Sequence, residues 1–251
     1  MRSDYAMGKV ITVTSGKGGT GKTTTVAAVA SCLAALGNKT LCVDFDVELK
    51  NLDLALCMAD YAVVDFKDVL DGQIRLSEAC HESPLISNLS YLAAPTSPEW
   101  NDTDGAAVSR MFDEIRAEFD YCLVDSPPGI GVGFALANSC ADMSIIVTIG
   151  EIPAIRDAQR TAEMLRDMGI PEIRMLVNRV LPRNYKRFHT TIDDVIDSVG
   201  VQLLAVVRED DSIALSLHEN KPLVLFRKRL AAYDFLDAAL RITGKDIPLR
   251  W

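Results

Sequence analysis

Short, continuously apolar runs rich in β-branched residues alternate along this chain with longer stretches whose apolar residues recur at helical spacing. The runs Lys9–Thr14, Thr40–Asp44, Leu89–Ala94, Tyr121–Asp125, Met143–Thr148, Ile173–Asn178 and Val201–Val207 read as strands. Several lack any polar alternation, as strands covered on both faces of a parallel sheet must. Between them Val26, Val29, Ala30 and Leu33 fall on one helical face, and so do Ile155, Ala158, Ala162 and Leu165. Strand and helix in turn predict an α/β fold, a doubly wound, mainly parallel sheet flanked by helices, in a single domain over residues 1–251. Residues 1–7 read as a flexible start. Pro95–Gly105 reads as a surface loop leading into a helix around Ala106–Glu118.

The first predicted strand runs into Ser15-Gly16-Lys17-Gly18-Gly19-Thr20-Gly21-Lys22-Thr23-Thr24, and an amphipathic stretch follows. Gly16, Gly21, Lys22 and Thr23 satisfy the P-loop spacing G-x-x-x-x-G-K-[ST] in the strand-to-helix setting its mechanism needs. Glycines let successive backbone N–H groups turn inward, and the helix behind them offers its positive end to phosphate. Residues 16–24 are therefore expected to bind a nucleoside triphosphate, with Lys22 reaching the β- and γ-phosphates and the Thr23 hydroxyl on Mg²⁺. A glycine-rich turn without a ligand is the competing reading, and the flanking pattern argues against it. Asp44 and Asp46 follow the second strand, where alternation sends both side chains toward the carboxyl edge. Asp125 ends another strand, before Ser126-Pro127-Pro128-Gly129. A lone Asp at a strand end is commonly a turn or cap residue; three of them downstream of a P-loop point to a metal and water site.

Lys17, one residue after the first glycine, is not needed to cradle phosphate from its own chain. Lys17-Gly18-Gly19-Thr20-Gly21-Lys22-Thr23 resembles the deviant Walker A loop of the MinD/ParA family of ATPases, in which the additional lysine is the signature. The resemblance covers nearly the whole chain. It implies a Mg-dependent ATPase, slow without a partner, in which an ATP-dependent homodimer sandwiches two nucleotides. Lys17 then crosses to the partner's phosphates, and Lys17, Lys22 and Asp46 are the catalytic residues. Asp46 would position the attacking water. Thr23, Asp44 and Asp125 would face Mg²⁺. The cofactor-binding set would be Gly16, Lys17, Gly18, Gly19, Thr20, Gly21, Lys22, Thr23 and Thr24, joined on the adenine side of ATP or ADP by Asn178, Arg179 and Asp210. For Asp210 the bland alternative is capping of the next helix by Asp210, Asp211 or Ser212.

The segments Asp44–Leu54, Val64–Leu70 and Glu151–Asp157 resemble the septum-site-determining branch of that family better than the plasmid-partition branch. They imply a switch that positions a division or polarity machinery through an activating or effector protein. Two departures fall in moving parts, where Glu48 replaces a glycine and Pro128 a small residue; a third, Arg208 in place of a proline, falls in Val206–Asp211, which resembles the family's base-contacting loop. Members of that branch end in an amphipathic membrane helix. Here residues 244–251 include Pro248, with only Leu249 and Trp251 apolar beyond it, so no clear membrane helix is expected and liposome binding should be weak.

Composition narrows the alternatives. With 49% hydrophobic and 24% charged residues the chain is ordinary globular protein, and no apolar run reaches the ~20 residues of a membrane span. The start lacks a signal-peptide pattern, so we expect a cytoplasmic protein, with peripheral contact at the inner face of the cell membrane left open. A formal charge of −9 argues against nucleic acid as a partner. A DNA-partition ATPase would need a basic stripe, for which Arg179, Arg183, Lys186, Arg187, Arg227, Lys228 and Arg229 are the candidates. The six cysteines show no Cys-x-x-Cys pair, and the three histidines are far apart, so neither a zinc site nor an iron–sulfur bridge through Cys140 has support.

Overall fold

The computed structural model describes residues 7–59, 64–96, 104–183, 191–226 and 230–249. Among these, eight strands form one sheet: β1 (Lys9–Thr14), β2 (Thr40–Asp44), β3 (His81–Glu82), β4 (Leu89–Leu92), β5 (Tyr121–Asp125), β6 (Met143–Ile149), β7 (Ile173–Val180) and β8 (Gln202–Arg208). Their spatial order is β3-β4-β2-β5-β1-β6-β7-β8. All neighbours are parallel except the short edge strand β3, antiparallel to β4. The seven predicted strands are present, three with the same ends and four with ends shifted by one or two residues; β3, too short and polar to show in the pattern, is new.

Side-chain alternation distributes each strand between two faces. Ile11, Cys42, Leu123 and Ile145 pack under helices α1 (Lys22–Ala35) and α10 (Leu230–Ile242). Val10, Leu41, Val43, Cys122 and Val124 turn the other way, onto α5 (Gly105–Glu118) and the short helices α3 (Phe66–Leu70) and α4 (Leu76–Ala79). There Phe45 stacks on Phe66 and Phe112, with ring centroids 4.6 and 6.0 Å apart. The same face continues under α7 (Ile152–Asp167) and α8 (Ile192–Val199). The described residues also form α2 (Leu52–Ala55), α6 (Val132–Asn138), α9 (Ser212–His218) and a 3-10 turn at Leu223–Leu225. Contrary to the amphipathic stretch expected after the loop, α1 is apolar and buried nearly all round, because it lies between the sheet and other helices.

From β1 the chain builds the sheet toward β2 and β4, returns to β5, then crosses to β6, β7 and β8 on the other side. The crossing makes β1 the topological switch point, and its carboxyl end is the place where this architecture binds ligands. Of the basic candidates, Lys186, Arg187, Arg227, Lys228 and Arg229 lie outside the described residues, as do residues 1–6 and 97–103. Among the described residues no helix is long and apolar enough to cross a membrane. The segment after α10 folds back on it, with Arg241 donating to the carbonyls of Leu204, Ile247 and Pro248.

Candidate nucleotide site

The loop between β1 and α1 is seated by its neighbours. At Gly16 a Cβ would lie 2.6 Å from the Asp157 Cβ and 2.7 Å from the Asp157 carbonyl oxygen, so only glycine lets the loop lie against α7. Gly21 has φ +96°, and a Cβ there would come 2.2 Å from the Asn178 Nδ2. Gly21 is also the N-cap of α1 and has no side chain to cap it, so the first-turn N–H groups of α1 face outward. An uncapped helix end behind a glycine loop is an anion site in waiting.

Lys22, the first residue of α1, is only 6% exposed. Burial lowers its pKa, opposed by the charges of Asp125 and Asp46. Asp44 and Asp125 are register partners on adjacent strands, which brings the two carboxyl edges together. Desolvation raises Asp125 to about 7, against a hydrogen bond from Thr23 and the charge of Lys22. The Asp125 Oδ1 is buried without a hydrogen-bond partner. Asp44 is raised to about 8 by desolvation and then by Asp125. Its Oδ1 accepts the Asp46 N–H at 2.9 Å and its Oδ2 the Leu52 N–H at 3.4 Å, so this carboxylate also shapes the loop after β2. Asp46 accepts the Leu49 N–H at 3.2 Å, and burial raises its pKa. One lysine and three carboxylates thus converge at the mouth of the loop.

The orphaned Asp125 oxygen beside the Thr23 hydroxyl fits a hard cation. Among the described residues no group of three or more His, Cys, Asp or Glu forms a metal cage. Magnesium in such a site keeps its waters and takes one or two protein oxygens together with substrate phosphates, so these donors suit it.

Lys17 is half-exposed, and its Nζ stands 3.5 Å from the Glu151 Oε2 at the N-cap of α7. Gly18 and Gly19 are exposed beside it, and Thr20 is buried. On the far side of the loop, a register irregularity between Val177 and Val180 turns Asn178 inward, where its Nδ2 donates to the Thr20 carbonyl at 2.8 Å. Arg179 is exposed with φ +55°, and its N–H donates to the Asn178 Oδ1. Asp210 accepts the Ser212 N–H at 2.8 Å and the Ala231 N–H at 3.2 Å, which ties the turn before α9 to α10. Glu48 and Pro128 line one cleft of about 580 Å³ between the loops after β2 and β5, with Phe45, Val47, Val132 and Phe134.

Sequence reasoning missed the partners that hold these residues: Asp157 for Gly16, Glu151 for Lys17, and Asp234 for Arg208. Glu151 and Asp157 delimit a segment marked only by its resemblance, and Asp234 left a trace as an acidic residue at the spacing of Ala231, Phe235 and Ala238 on the buried face of α10.

A P-loop at the switch point of a parallel sheet, facing buried carboxylates on β2 and β5, defines a nucleotide-binding protein of the P-loop class. The model of the CobQ/CobB/MinD/ParA nucleotide binding domain matches residues 11–223, and the chain belongs to that family. Within it the chain is of the MinD type, the ATPases of septum placement. It is 35% identical over 248 residues to the septum site-determining protein MinD of Bacillus subtilis, covering 97% of this chain and 92% of that one. Among solved structures it is similar to the MinC:MinD cell division protein complex of Aquifex aeolicus, with TM-score 0.90 and 34% identity over 97% of this chain and 98% of that one. It is also similar to MinD of Pyrococcus horikoshii complexed with Mg-ADP, with TM-score 0.83 and 28% identity over 94% and 96% of the two chains.

Proposed function

We propose that this chain is an ATP-driven dimerising switch that hydrolyses ATP to ADP and phosphate, slowly when alone, and acts on the placement of the division septum. The observation that carries the reading is the buried, unpaired Asp125 oxygen beside Thr23 and Lys22 at the uncapped end of α1. Residues 16–24 would cradle the phosphates. Thr23 and Asp125, with Asp44 one strand away, would hold Mg²⁺. When bound, magnesium supplies charge neutralisation on the phosphate oxygens. Lys22 neutralises phosphate from within the chain, and its burial makes that charge act through a weakly screened medium. Asp46, held by the Leu49 N–H, orients the attacking water. Asn178, Arg179 and Asp210 serve the adenine side.

Lys17 belongs to the partner's site. Its contact with Glu151 is long and exposed, and such pairs are worth ~0–1 kcal/mol, so little holds the lysine back from a second subunit's phosphates. The exposed apolar residues Leu49, Ile130, Val132 and Ile152 belong to the loops after β2 and β5 and to the first residues of α6 and α7, and suit burial between two copies. The A. aeolicus MinD is solved in complex with MinC, and an effector of that kind is the partner we infer here. We place the protein in the cytoplasm, with peripheral contact at the inner face of the cell membrane.

Two variants test the reading. Lys22→Ala should lose nucleotide binding or turnover, and Asp46→Ala should bind Mg-ATP, fail to turn it over and accumulate as a dimer by light scattering. Wild-type turnover in Lys22→Ala, or a monomer of Asp46→Ala at saturating Mg-ATP, refutes it.

A further inference from the structure

Arg208 ends β8, and Asp234 lies 26 residues later in α10. The Arg208 Nε–H donates to the Asp234 Oδ2 at 2.9 Å, an Nη2–H donates to the Oδ1 at 2.5 Å, and the Arg208 backbone N–H donates to the Oδ2 at 3.0 Å. The Asp234 side chain is 1% exposed. Asp210, two residues beyond Arg208, accepts the N–H of Ala231, one turn before Asp234. The segment 208–212 is thus stitched to the start of α10 at two points. Glu209 N–H donates to the Val180 carbonyl at 3.1 Å, so the same segment lies on the strand end that carries Asn178 and Arg179.

A buried ion pair is a poor source of stability, because removing both ions from water offsets most of their attraction. What a planar guanidinium gives in two parallel bonds is orientation. Orientation matters for this segment: among the described residues β8 is an edge strand with a ladder on one side only, so besides the Asp210 and Glu209 bonds it is the fork that directs the chain leaving it. Where the family resemblance places a proline, whose ring fixes φ, this chain holds its path through a side chain.

Resting on the nucleotide site proposed above, we propose that the Arg208–Asp234 fork positions the base side of that site. It locks the segment 208–212 against Asn178 and Arg179, so that affinity for adenine nucleotides depends on it and the phosphate loop does not. Arg208 and Asp234 are positioning residues that act through this segment.

Titration calorimetry on the full chain with Mg-ADP and with Mg-tripolyphosphate, a ligand for the phosphate loop alone, tests the proposal. Asp234→Asn keeps the shape and removes the charge. It should weaken Mg-ADP by about tenfold or more while tripolyphosphate changes by less than about twofold, and should raise KM for ATP with kcat nearly unchanged. The double variant Arg208→Met/Asp234→Leu replaces the pair by apolar volume and should show the same split, including where Asp234→Asn fails to fold. Arg208→Pro in the Asp234→Leu background should restore Mg-ADP affinity to within about threefold of the parent chain. Parallel weakening of both ligands, or unchanged ADP affinity, overturns the proposal. A parent chain that binds neither ligand overturns the nucleotide site itself.

Discussion

Asp125→Asn should stabilise the protein in the absence of ligand while abolishing turnover. Asp125 is 1% exposed, and one of its oxygens has no hydrogen-bond partner. Its pKa is raised from 3.8 to about 7, chiefly by desolvation. The sign follows from proton binding: between those values the native state keeps a proton that the unfolded chain has lost, so stability falls as pH rises from about 4 to 7, and the penalty is complete above 7. The gap is worth about 4 kcal/mol. Asparagine removes that cost but deprives Lys22 of the carboxylate whose charge most opposes the effect of its burial, which returns part of the gain and leaves about 1–4 kcal/mol. Urea unfolding of nucleotide-free protein in EDTA should show Asp125→Asn more stable by that amount at pH 8, less so at pH 6, and equal to the parent near pH 4. An equal or lower stability at pH 8, or a gain indifferent to pH, refutes the account of a carboxylate held in place for a cation.

Two further substitutions separate the parts of the loop. Lys17→Ala should leave stability within ~0.5 kcal/mol and Mg-ADP affinity unchanged, because its Glu151 contact is exposed, yet it should abolish the ATP-dependent dimer; sedimentation that still shows the dimer would remove the trans role of Lys17. Gly16→Ala must displace the Asp157 backbone and should cost ~1–3 kcal/mol by urea unfolding and weaken Mg-ADP, since the loop leaves its seat on α7; wild-type affinity would show that α7 does not hold the loop.

Seven of the eight strands, the parallel character of the sheet, the P-loop and the strand-end aspartates were legible in the sequence. These are local patterns: continuous apolar runs, period-two alternation and glycines at fixed spacing act within one segment and need no distant partner. Lys22, Thr23, Asp44, Asp46 and Asp125 were legible because strand ends in a parallel sheet share one edge. Tertiary structure alone decided what surrounds them. That Asn178 lies under Gly21, 157 positions earlier, required a bulge in β7 and the crossing of the chain from β1 to β6. The short antiparallel β3 exists only because β4 offers it an edge. The raised pKa of Asp44 and Asp125 comes from burial beneath loops that the sequence does not place. The Arg208–Asp234 fork depends on how α10 packs on β8. Each is a contact between segments distant along the chain, set by register and packing, and no pattern inside either segment specifies it.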